Sequence, residues 1–425
     1  MLPLHNPAKR KGYYTLFREF VKVFFRYTGI KFFPVLQYAG KEGGESVKST
    51  GKLRVAVVGG GAGGLAAAIA AAEGGASVKI CERANRVGKK LLKTGNGRCN
   101  LTHQDVRAED YNCPDFVAPV LEQTDTAALL DFFRGLGLWT VTDAEGRVYP
   151  RSDTAASVLD VLRLRCGKLG VEECCSCEVA GIGRRRGAWL LRFADGGSAE
   201  ADRVIVASGG GTRLTAALGI PQRPFAPVLC PLKTDVRPIR GLSGLRARCV
   251  VTLEREGRAL CAEAGEVLFR DYGLSGIVIL NMSRLARAGD VLALDLLPEW
   301  EEAALSAALR SRRQDCGEQE LLTGVFHRRL GEALLRLAPG DTDALARYIK
   351  RFPLTVEGAA DAANAQVTRG GAAVESFDPA TLQCRDWEGL YVIGEALDVD
   401  GRCGGYNLHW AFASGLAAGR SAVYD

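Results

Sequence analysis

Three glycines and one acidic residue in the first quarter of the chain have the types and the spacing of a dinucleotide site. Gly59, Gly61 and Gly64 form the pattern G-x-G-x-x-G, whose bare backbone lets a pyrophosphate approach the free N–H groups of a helix start. Glu82 follows 18 residues after Gly64, where a carboxylate accepts hydrogen bonds from ribose hydroxyls and repels the 2′-phosphate of NADP. The pattern predicts a bound dinucleotide, and the alternative is a glycine-rich turn without a ligand.

The elements around these residues favour the dinucleotide interpretation. A β-branched run at 54–58 predicts a strand, an Ala-rich run at 65–73 predicts a helix, and residues 77–81 predict a second strand. Together they form one βαβ unit that is complete within about 30 residues, as such units require.

A second strand and helix near the C-terminus favour FAD over NAD. Residues 389–394 predict a buried strand, and a glycine-led helix follows over 404–423. Elements more than 300 residues downstream of the glycine turn suit a long ligand that lies across the sheet. Glu395 or Asp398 could bind the ribityl hydroxyls, and the N-terminus of the helix would stabilise negative charge on the reduced flavin. A plain helix-start turn is the alternative.

The composition is that of a globular protein of two or three domains, because 425 residues with 47% hydrophobic content can bury large cores. Residues 1–52 carry ten basic and three acidic residues, whereas the rest of the chain carries 45 basic and 46 acidic ones. The body is therefore close to neutral, and no nucleic-acid partner is predicted.

Thirteen cysteines, an odd number, and no secretory signal predict a cytoplasmic protein with free thiols. The segment from Cys174 to Cys177 contains a C-x-x-C, which fits either core cysteines or a redox dithiol. No second pair stands at zinc spacing, so no metal site is predicted. No apolar run is long enough to span a membrane.

Residues 13–27 carry apolar side chains at helical spacing between basic ones. Such a helix could contact a membrane or a partner protein weakly. The alternatives are a helix packed on the body and an extension outside the main domain. A Gly-, Ser- and Lys-rich linker is predicted over 41–52.

Residues 88–102, GKKLLKTGNGRCNLT, resemble the signature of the BaiN-like family of bacterial NAD(P)/FAD-dependent oxidoreductases, also described as aminoacetone-oxidase-type flavoproteins. Further matches lie at 146–152, 272–276, 367–371 and 394–408. The resemblance runs from about residue 53 to the C-terminus, and the first 50 residues have no counterpart. His409 stands where the family usually has Gln, and Ile277 stands where Pro commonly follows the Gly-Leu-Ser-Gly run.

The resemblance and the composition shifts imply an α/β fold. It consists of a Rossmann-like FAD-binding domain (a parallel sheet with a β-meander), an inserted β-barrel and a small helical domain. The predicted divisions are a basic extension and linker at 1–52, the first segment of the FAD-binding domain at 53–215, the barrel at 216–298, the helical subdomain at 299–352, a return to the barrel at 353–372 and the second segment of the FAD-binding domain at 373–425.

The resemblance also implies that Arg83, Arg98, Cys99 and Asn100 line the FAD, and that the backbone of Val179 contacts the adenine. Arg98 offers a rigid fork of donors for a phosphate or a flavin carbonyl, whereas Cys99 has no base beside it and is not predicted to be a nucleophile. The complete predicted cofactor-binding set is Gly59, Gly61, Ala62, Gly63, Gly64, Glu82, Arg83, Lys89, Gly97, Arg98, Cys99, Asn100, Val179, Ser208, Gly209, Gly394, Glu395, Asp398, Gly404, Gly405, Tyr406, Asn407 and Leu408.

The sequence contains one complete dinucleotide fingerprint, so NAD(P)H is predicted to visit the flavin transiently as reductant. The family implies hydride transfer from flavin N5 to a conjugated C=C bond of a small organic substrate such as a 3-oxo bile-acid or steroid intermediate. The catalytic residues are not identified; Tyr272, Tyr406 and His409 are candidates, with a packing role as the alternative for each. An amine-oxidising FAD oxidase and a non-catalytic flavin-binding redox sensor or interaction protein stay open.

Overall fold

The computed structural model of the protein describes residues 51–211, 213–360, 365 and 367–424. The predicted membrane or partner contact at 13–27 lies outside the described residues, as does nearly all of the predicted linker. Residues from Lys52 onward form one structural unit.

The strands are, in chain order, β1 (Arg54–Val58), β2 (Ser77–Glu82), β3 (Thr102–His103), β4 (Thr140–Thr142), β5 (Arg147–Pro150), β6 (Glu172–Cys175), β7 (Val179–Arg185), β8 (Ala188–Phe193), β9 (Ser198–Ala201), β10 (Arg203–Val206), β11 (Gln222–Val228), β12 (Leu232–Thr234), β13 (Arg246–Arg255), β14 (Arg258–Arg270), β15 (Gly273–Ser275), β16 (Val291–Asp295), β17 (Phe352–Ala359), β18 (Val367–Ala372) and β19 (Leu390–Val392). The helices are α1 (Ala62–Glu73), α2 (Pro114–Gln123), α3 (Thr126–Gly135), α4 (Ala155–Leu169), α5 (Arg213–Ala216), α6 (Ile277–Met282), α7 (Glu302–Asp315), α8 (Arg328–Leu337), α9 (Thr342–Lys350) and α10 (Tyr406–Tyr424).

A parallel sheet with the strand order β19-β10-β1-β2-β6 forms the main core. Residues 55–58 of β1 and all of β19 are buried, as expected for parallel strands that are covered on both faces. The registers pair Val58 with Val206, and Val206 with Val392. The carboxyl ends of β1, β10 and β19 therefore lie side by side at one edge of the sheet.

The last helix of the chain packs directly on the first helix of the βαβ unit. An ideal Cβ at Gly415 would lie 2.4 Å from the carbonyl oxygen of Gly63, and one at Gly419 would lie 2.5 Å from that of Ala67. The two helix backbones touch because both positions lack side chains. This contact fixes α10 beside α1 although the two helices are far apart in sequence.

A closed barrel with the order β12-β15-β14-β13-β16-β17 forms the second core. Its interior is filled by alternate apolar residues such as Val251, Leu253 and Phe269, all fully buried. The strand β17 closes the barrel only after the chain has passed through α7, α8 and α9. The predicted fold class is confirmed, with β7-β8-β9 as the meander; the predicted domain boundaries stay a prediction.

All thirteen cysteines are free. Cys174 and Cys177, the ends of the C-x-x-C, are half-buried. Burial raises the pKa of Cys174 to about 11, which does not favour a reactive thiolate there. Among the described residues, no helix is long and apolar enough to cross a lipid bilayer.

Candidate functional site

The glycine turn lies between β1 and α1 and packs against the end of β10. Gly59 has φ +108°, and an ideal Cβ there would lie 2.4 Å from the carbonyl oxygen of Ala207. At Gly64 a Cβ would lie 1.9 Å from the carbonyl oxygen of Gly59. Gly61 differs, because no atom lies within 4 Å of its ideal Cβ. Space is therefore open at the start of α1, where the first N–H groups of a helix have no intrahelical partners.

Glu82 ends β2, the strand next to β1 in the sheet. One of its carboxylate oxygens accepts a 2.8 Å hydrogen bond from the backbone N–H of Gly60, and the other accepts a 2.8 Å bond from that of Ala84. These bonds hold the half-buried carboxylate beside the glycine turn. Each oxygen retains a lone pair that could accept a further hydrogen bond, such as one from a ribose hydroxyl.

The predicted residues after β10 and β19 lie at the same edge of the sheet. Glu395 reaches over the turn at Gly209, since an ideal Cβ at Gly209 would lie 3.7 Å from Oε2 of Glu395. The helix α10 holds the turn after β19 in place. The N–H of Gly394 donates to Oγ of Ser414 at 3.1 Å, and the indole N–H of Trp410 donates to the carbonyl oxygen of Gly394 at 3.3 Å.

The start of α10 contacts the end of the signature loop, residues 88–102. An ideal Cβ at Gly405 would lie 2.5 Å from the backbone of Thr102 and 2.8 Å from Oδ1 of Asn100. Only glycine permits this approach, which joins residues about 300 positions apart. Oδ1 of Asn100 is buried and has no hydrogen-bond partner among the described residues. An acceptor in that state costs free energy unless a ligand donates to it.

Arg98 of the signature loop is held by a carboxylate and an aromatic ring, whereas Cys99 beside it is buried. The Arg98 guanidinium donates to Asp153 at 2.6 Å and lies over the Tyr149 ring at 4.3 Å from the centroid. Cys99 is fully buried, and burial raises the pKa of its thiol to about 11. Both features disfavour a reactive thiolate at Cys99.

Asp398 and Asn407 bond to the protein's own backbone. Oδ1 of Asp398 accepts from the N–H of Gly370 at 3.1 Å, and burial raises its pKa. The Asn407 amide bonds the N–H and the carbonyl oxygen of Gly401 at 2.8 and 2.9 Å. It therefore fixes the loop before α10.

The other predicted residues divide into two groups. Arg83 and Lys89 are exposed and form no ion pair within the described part of the chain. The second group lies at the starts or ends of elements near the sheet edge or the start of α10. Ala62 begins α1, Gly63 contacts α10, and Gly97 ends the irregular 3₁₀ segment Leu91–Gly97. Val179 begins β7, Ser208 donates to the carbonyl oxygen of Gly211, Gly404 precedes α10, and Leu408 lies in the first turn of α10.

A cavity of about 1250 Å³ lies between the barrel, the helical segment and the loop before α10. Its wall combines apolar side chains from the barrel side and the helical side with charged ones from β5, β13 and β14. The lining residues are His103, Glu145, Arg147, Arg246, Ala247, Arg248, Cys249, Val250, Glu263, Ala264, Gly265, Glu266, Gly276, Ile277, Val278, Asn281, Leu296, Leu297, Pro298, Glu299, Val325, Phe326, His327, Leu330, Arg402, Cys403, Gly404 and Tyr406.

Of the three candidate catalytic residues, Tyr406 lines this cavity, whereas Tyr272 and His409 do not. The Tyr406 ring stacks on His103, with centroids 5.2 Å apart and an interplanar angle of 16°. Burial raises the pKa of Tyr406 to about 12, so its hydroxyl is protonated at neutral pH. The hydroxyl has no hydrogen-bond partner in the described part of the protein. It is therefore available as a donor to a molecule in the cavity.

Comparison with known proteins identifies the family of this chain. Residues 53–421 match the family described as HI0933-like protein Rossmann domain. The chain belongs to this family. It is 37% identical to the 3-dehydro-bile acid delta(4,6)-reductase of Clostridium scindens over 87% of this chain and 99% of that protein. It is 26% identical to a ribosomal RNA dihydrouridine synthase of Haemophilus influenzae over 86% of this chain and 97% of that protein.

Among solved structures, a 3-ketosteroid-delta4-(5alpha)-dehydrogenase from Rhodococcus jostii is similar with a TM-score of 0.42 and 15% identity, over 88% of this chain and 98% of that one. Membership in the HI0933-like family confirms the resemblance that the signature loop indicated. It also confirms the predicted enzyme class, an FAD-dependent oxidoreductase.

The edge of the sheet fits the FAD that the HI0933-like family implies. The open space beside Gly61 leaves room for a pyrophosphate at the start of α1. The carboxylate of Glu82 is fixed where a ribose would lie, one strand away. At the other end, the buried and unpartnered Oδ1 of Asn100 lies beside the start of α10. A long ligand that extends from the end of β2 past β1 to the start of α10 would reach all three.

His409, which replaces the Gln usual in the family, is fully buried within the protein. Its Nδ1 lies 2.7 Å from the Thr102 hydroxyl, and its Nε2 lies 3.0 Å from the carbonyl oxygen of Thr124. The proton therefore belongs on Nε2, which donates to the carbonyl, while Nδ1 accepts from Thr102. Both ring nitrogens are engaged, which favours the packing role over a catalytic one.

We expect His409 to make stability depend on pH. Burial lowers its pKa from 6.5 to about 4. The unfolded chain therefore binds a proton before the folded protein does, so the stabilisation is complete above about pH 6.5 and is lost as the pH falls towards 4. Urea unfolding of wild type and His409→Gln, whose amide can make the same two bonds, should show a difference in pH dependence of up to about 3 kcal/mol between pH 7 and pH 4. If the free energies of unfolding of the two proteins changed in parallel with pH, this expectation would be contradicted.

Two residues of the loop before α10 were not predicted from the sequence. Arg402 lines the cavity and pairs with Asp110 at 3.5 Å and with Glu263 of β14 at 3.3 Å. Asp400 is fully buried and accepts hydrogen bonds from Arg284 at 2.7 Å and Arg369 at 2.9 Å. These ion pairs tie the loop to the barrel region and to β18. Neither Arg402 nor Asp400 could be predicted from a local sequence pattern, because each of their partners lies far away in sequence.

Proposed function

We propose that the protein is an FAD-dependent reductase that adds hydrogen across a conjugated C=C bond of a small organic molecule, with NAD(P)H as transient reductant. The observation that carries the proposal is the cavity beside the start of α10, because its wall includes Gly404 and Tyr406. The cavity thus opens next to the region of the sheet edge where we place the flavin ring.

The cofactor would be held at both ends. Gly61 and the start of α1 would receive the pyrophosphate, Glu82 the adenosine ribose, and Asn100 with the turn at Gly394 the flavin half. When bound, FAD supplies hydride transfer at its N5 atom. The first N–H groups of α10 would face the flavin and stabilise negative charge on it.

The size and lining of the cavity support the proposed substrate class. A volume of about 1250 Å³ exceeds the roughly 300–1,000 Å³ of ordinary small-molecule sites. Ile277, Val278, Val325 and Phe326 provide apolar wall, which suits a rigid ring system. The 37% identical relative is named as a reductase of 3-dehydro-bile acids, and an unsaturated 3-oxo steroid of that kind is the substrate class we propose.

The protein would supply the proton and the hydrogen bonds to the carbonyl. A hydride added at the β-carbon of an enone leaves negative charge on the carbonyl oxygen and requires a proton at the α-carbon. Tyr406 presents a protonated, unpartnered hydroxyl to the cavity and is the proposed donor. Arg147 and Arg402 line the same cavity, and their guanidinium N–H groups are the proposed donors to the oxygen.

The neutral body of the chain favours a small molecule over RNA. Residues 53–425 carry 45 basic and 46 acidic residues, whereas binding of nucleic acid requires basic surface to neutralise phosphates. The relative named as a ribosomal RNA dihydrouridine synthase is also less similar, at 26% identity. We therefore propose no RNA substrate.

An anaerobic titration tests the proposal. NADH or NADPH should bleach the flavin absorbance of the purified protein, and an unsaturated 3-oxo steroid should restore it with formation of the saturated product. Rapid oxygen consumption with amines, without reduction by either nicotinamide, would instead support an amine oxidase. A flavin that neither nicotinamides nor organic substrates reduce would support a redox sensor.

A further inference from the structure

Lys90 and Glu395 form an ion pair between two segments 305 residues apart in sequence. The carboxylate is the more buried partner, with 16% of the Glu395 side chain exposed against 63% for Lys90. Lys90 was absent from the predicted site, in which its neighbour Lys89 was named. The pair is thus a contact that only the fold creates.

The glycine turn fixes the segment that carries Lys90. The N–H of Gly88 donates to the carbonyl oxygen of Gly60 at 2.8 Å. Val87 is buried and packs closely on Gly60, because an ideal Cβ at Gly60 would lie 2.5 Å from Cγ1 of Val87. Lys90 therefore extends from a backbone anchored on the turn between β1 and α1.

Glu395 is anchored on the opposite side of the same edge. It follows β19 directly, and α10 bonds both the N–H and the carbonyl oxygen of the preceding Gly394. Its Oε2 lies over the turn at Gly209, after β10. Since β10 lies between β1 and β19, the two anchors are separated by two strand spacings, about 10 Å.

The ion pair consequently bridges the groove at the carboxyl ends of these strands, where a dinucleotide lies in a sheet of this topology. A Lys–Glu pair whose ammonium is largely exposed contributes little to folding stability, because water screens it and both side chains lose conformational freedom. Its position across the groove instead suits contact with a ligand that lies there.

We propose that Lys90 and Glu395 form a clasp that retains the FAD. The Lys90 ammonium binds the pyrophosphate, while Glu395 accepts a hydrogen bond from a ribityl hydroxyl and holds Lys90 over the cofactor. The clasp slows release, since the bridge must open before the dinucleotide can leave. This inference rests on the proposed binding of FAD.

The test is the rate of FAD release from the full-length holoprotein, followed by the fluorescence of free FAD after dilution. Lys90→Met should release FAD roughly 10- to 100-fold faster, because a charge-assisted hydrogen bond to the pyrophosphate is lost. Lys93→Met is the matched control, since Lys93 is also exposed, lies in the same loop and forms no ion pair among the described residues. Lys93→Met should release FAD at the wild-type rate. Lys90→Arg, which keeps the positive charge, should also release FAD slowly.

Glu395→Gln gives an independent measurement, because it removes the partner but leaves Lys90 in place. Release should accelerate, and the dependence of FAD affinity on salt should remain, whereas Lys90→Met should reduce that dependence. Equal release rates for Lys90→Met, Lys93→Met and wild type would overturn the clasp alone. A wild-type protein that does not bind FAD would overturn the clasp and the proposed function together.

Discussion

Replacing Gly61 with alanine is expected to lower FAD affinity by about 10²–10⁴-fold, because a methyl group would displace the pyrophosphate from two or more charge-assisted hydrogen bonds. The fold should stay intact. Gly61 has φ −82° and ψ −166°, which alanine adopts without strain, and no protein atom lies within 4 Å of the added Cβ. Titration of apoprotein with FAD gives the affinity, and thermal unfolding of the apoproteins tests the fold.

Two other glycines make this result specific. Gly167 in α4 also has no atom near its ideal Cβ, so Gly167→Ala should leave FAD affinity unchanged and stabilise the helix slightly. Gly64→Ala should fail to fold, because its Cβ would lie 1.9 Å from the carbonyl oxygen of Gly59. If Gly61→Ala bound FAD as tightly as Gly167→Ala, the glycine turn would not hold the pyrophosphate.

Replacing Tyr406 with phenylalanine is expected to slow substrate reduction by about 10²–10⁴-fold, the usual contribution of a positioned general acid. The ring, its stacking on His103 and the bond from the Tyr111 hydroxyl to the Tyr406 backbone at 2.8 Å do not require the hydroxyl of Tyr406. The variant should therefore fold and bind FAD. Stopped-flow reoxidation by substrate should slow, while reduction by NAD(P)H should proceed at the wild-type rate.

The same substitution at Tyr272 tests the competing candidate. Tyr272 lies at the turn between β14 and β15, is 37% exposed and does not line the cavity. A large loss in Tyr272→Phe with none in Tyr406→Phe would show that the assigned donor is wrong. Equal slowing of both half-reactions in Tyr406→Phe would indicate a disturbed flavin site instead of a lost proton donor.

Both the barrel region and the FAD-binding domain position the wall of the cavity. Arg284, which follows α6, and Arg369 of β18 both bond the buried Asp400, and this loop leads into α10. Asn281 of α6 accepts from the N–H of Cys403 at 2.8 Å and donates to Glu263 at 2.8 Å. The position of the cavity wall at Gly404 and Tyr406 therefore depends on how the barrel packs against the FAD-binding domain.

The elements around the proposed dinucleotide site could be predicted because their signals are local. The strand at 54–58 and the helix after Gly61 follow from residue types within one short window, and the structure has them as β1 and α1. The predicted strand at 389–394 and helix at 404–423 correspond to β19 and α10 in the same way. Glu82 could be named because strand length sets its distance from the glycine turn.

The tertiary structure alone decided which side chains meet. His409 looked like a titratable group near the flavin, yet Thr102 and Thr124 engage both of its nitrogens. Lys90, and not Lys89, reaches Glu395. Tyr406 lines the cavity and Tyr272 does not. These outcomes depend on contacts between residues that are distant in sequence, because the direction of a side chain and its partner are fixed by packing, whereas the type of an element is fixed by periodicity and turn chemistry over a few residues.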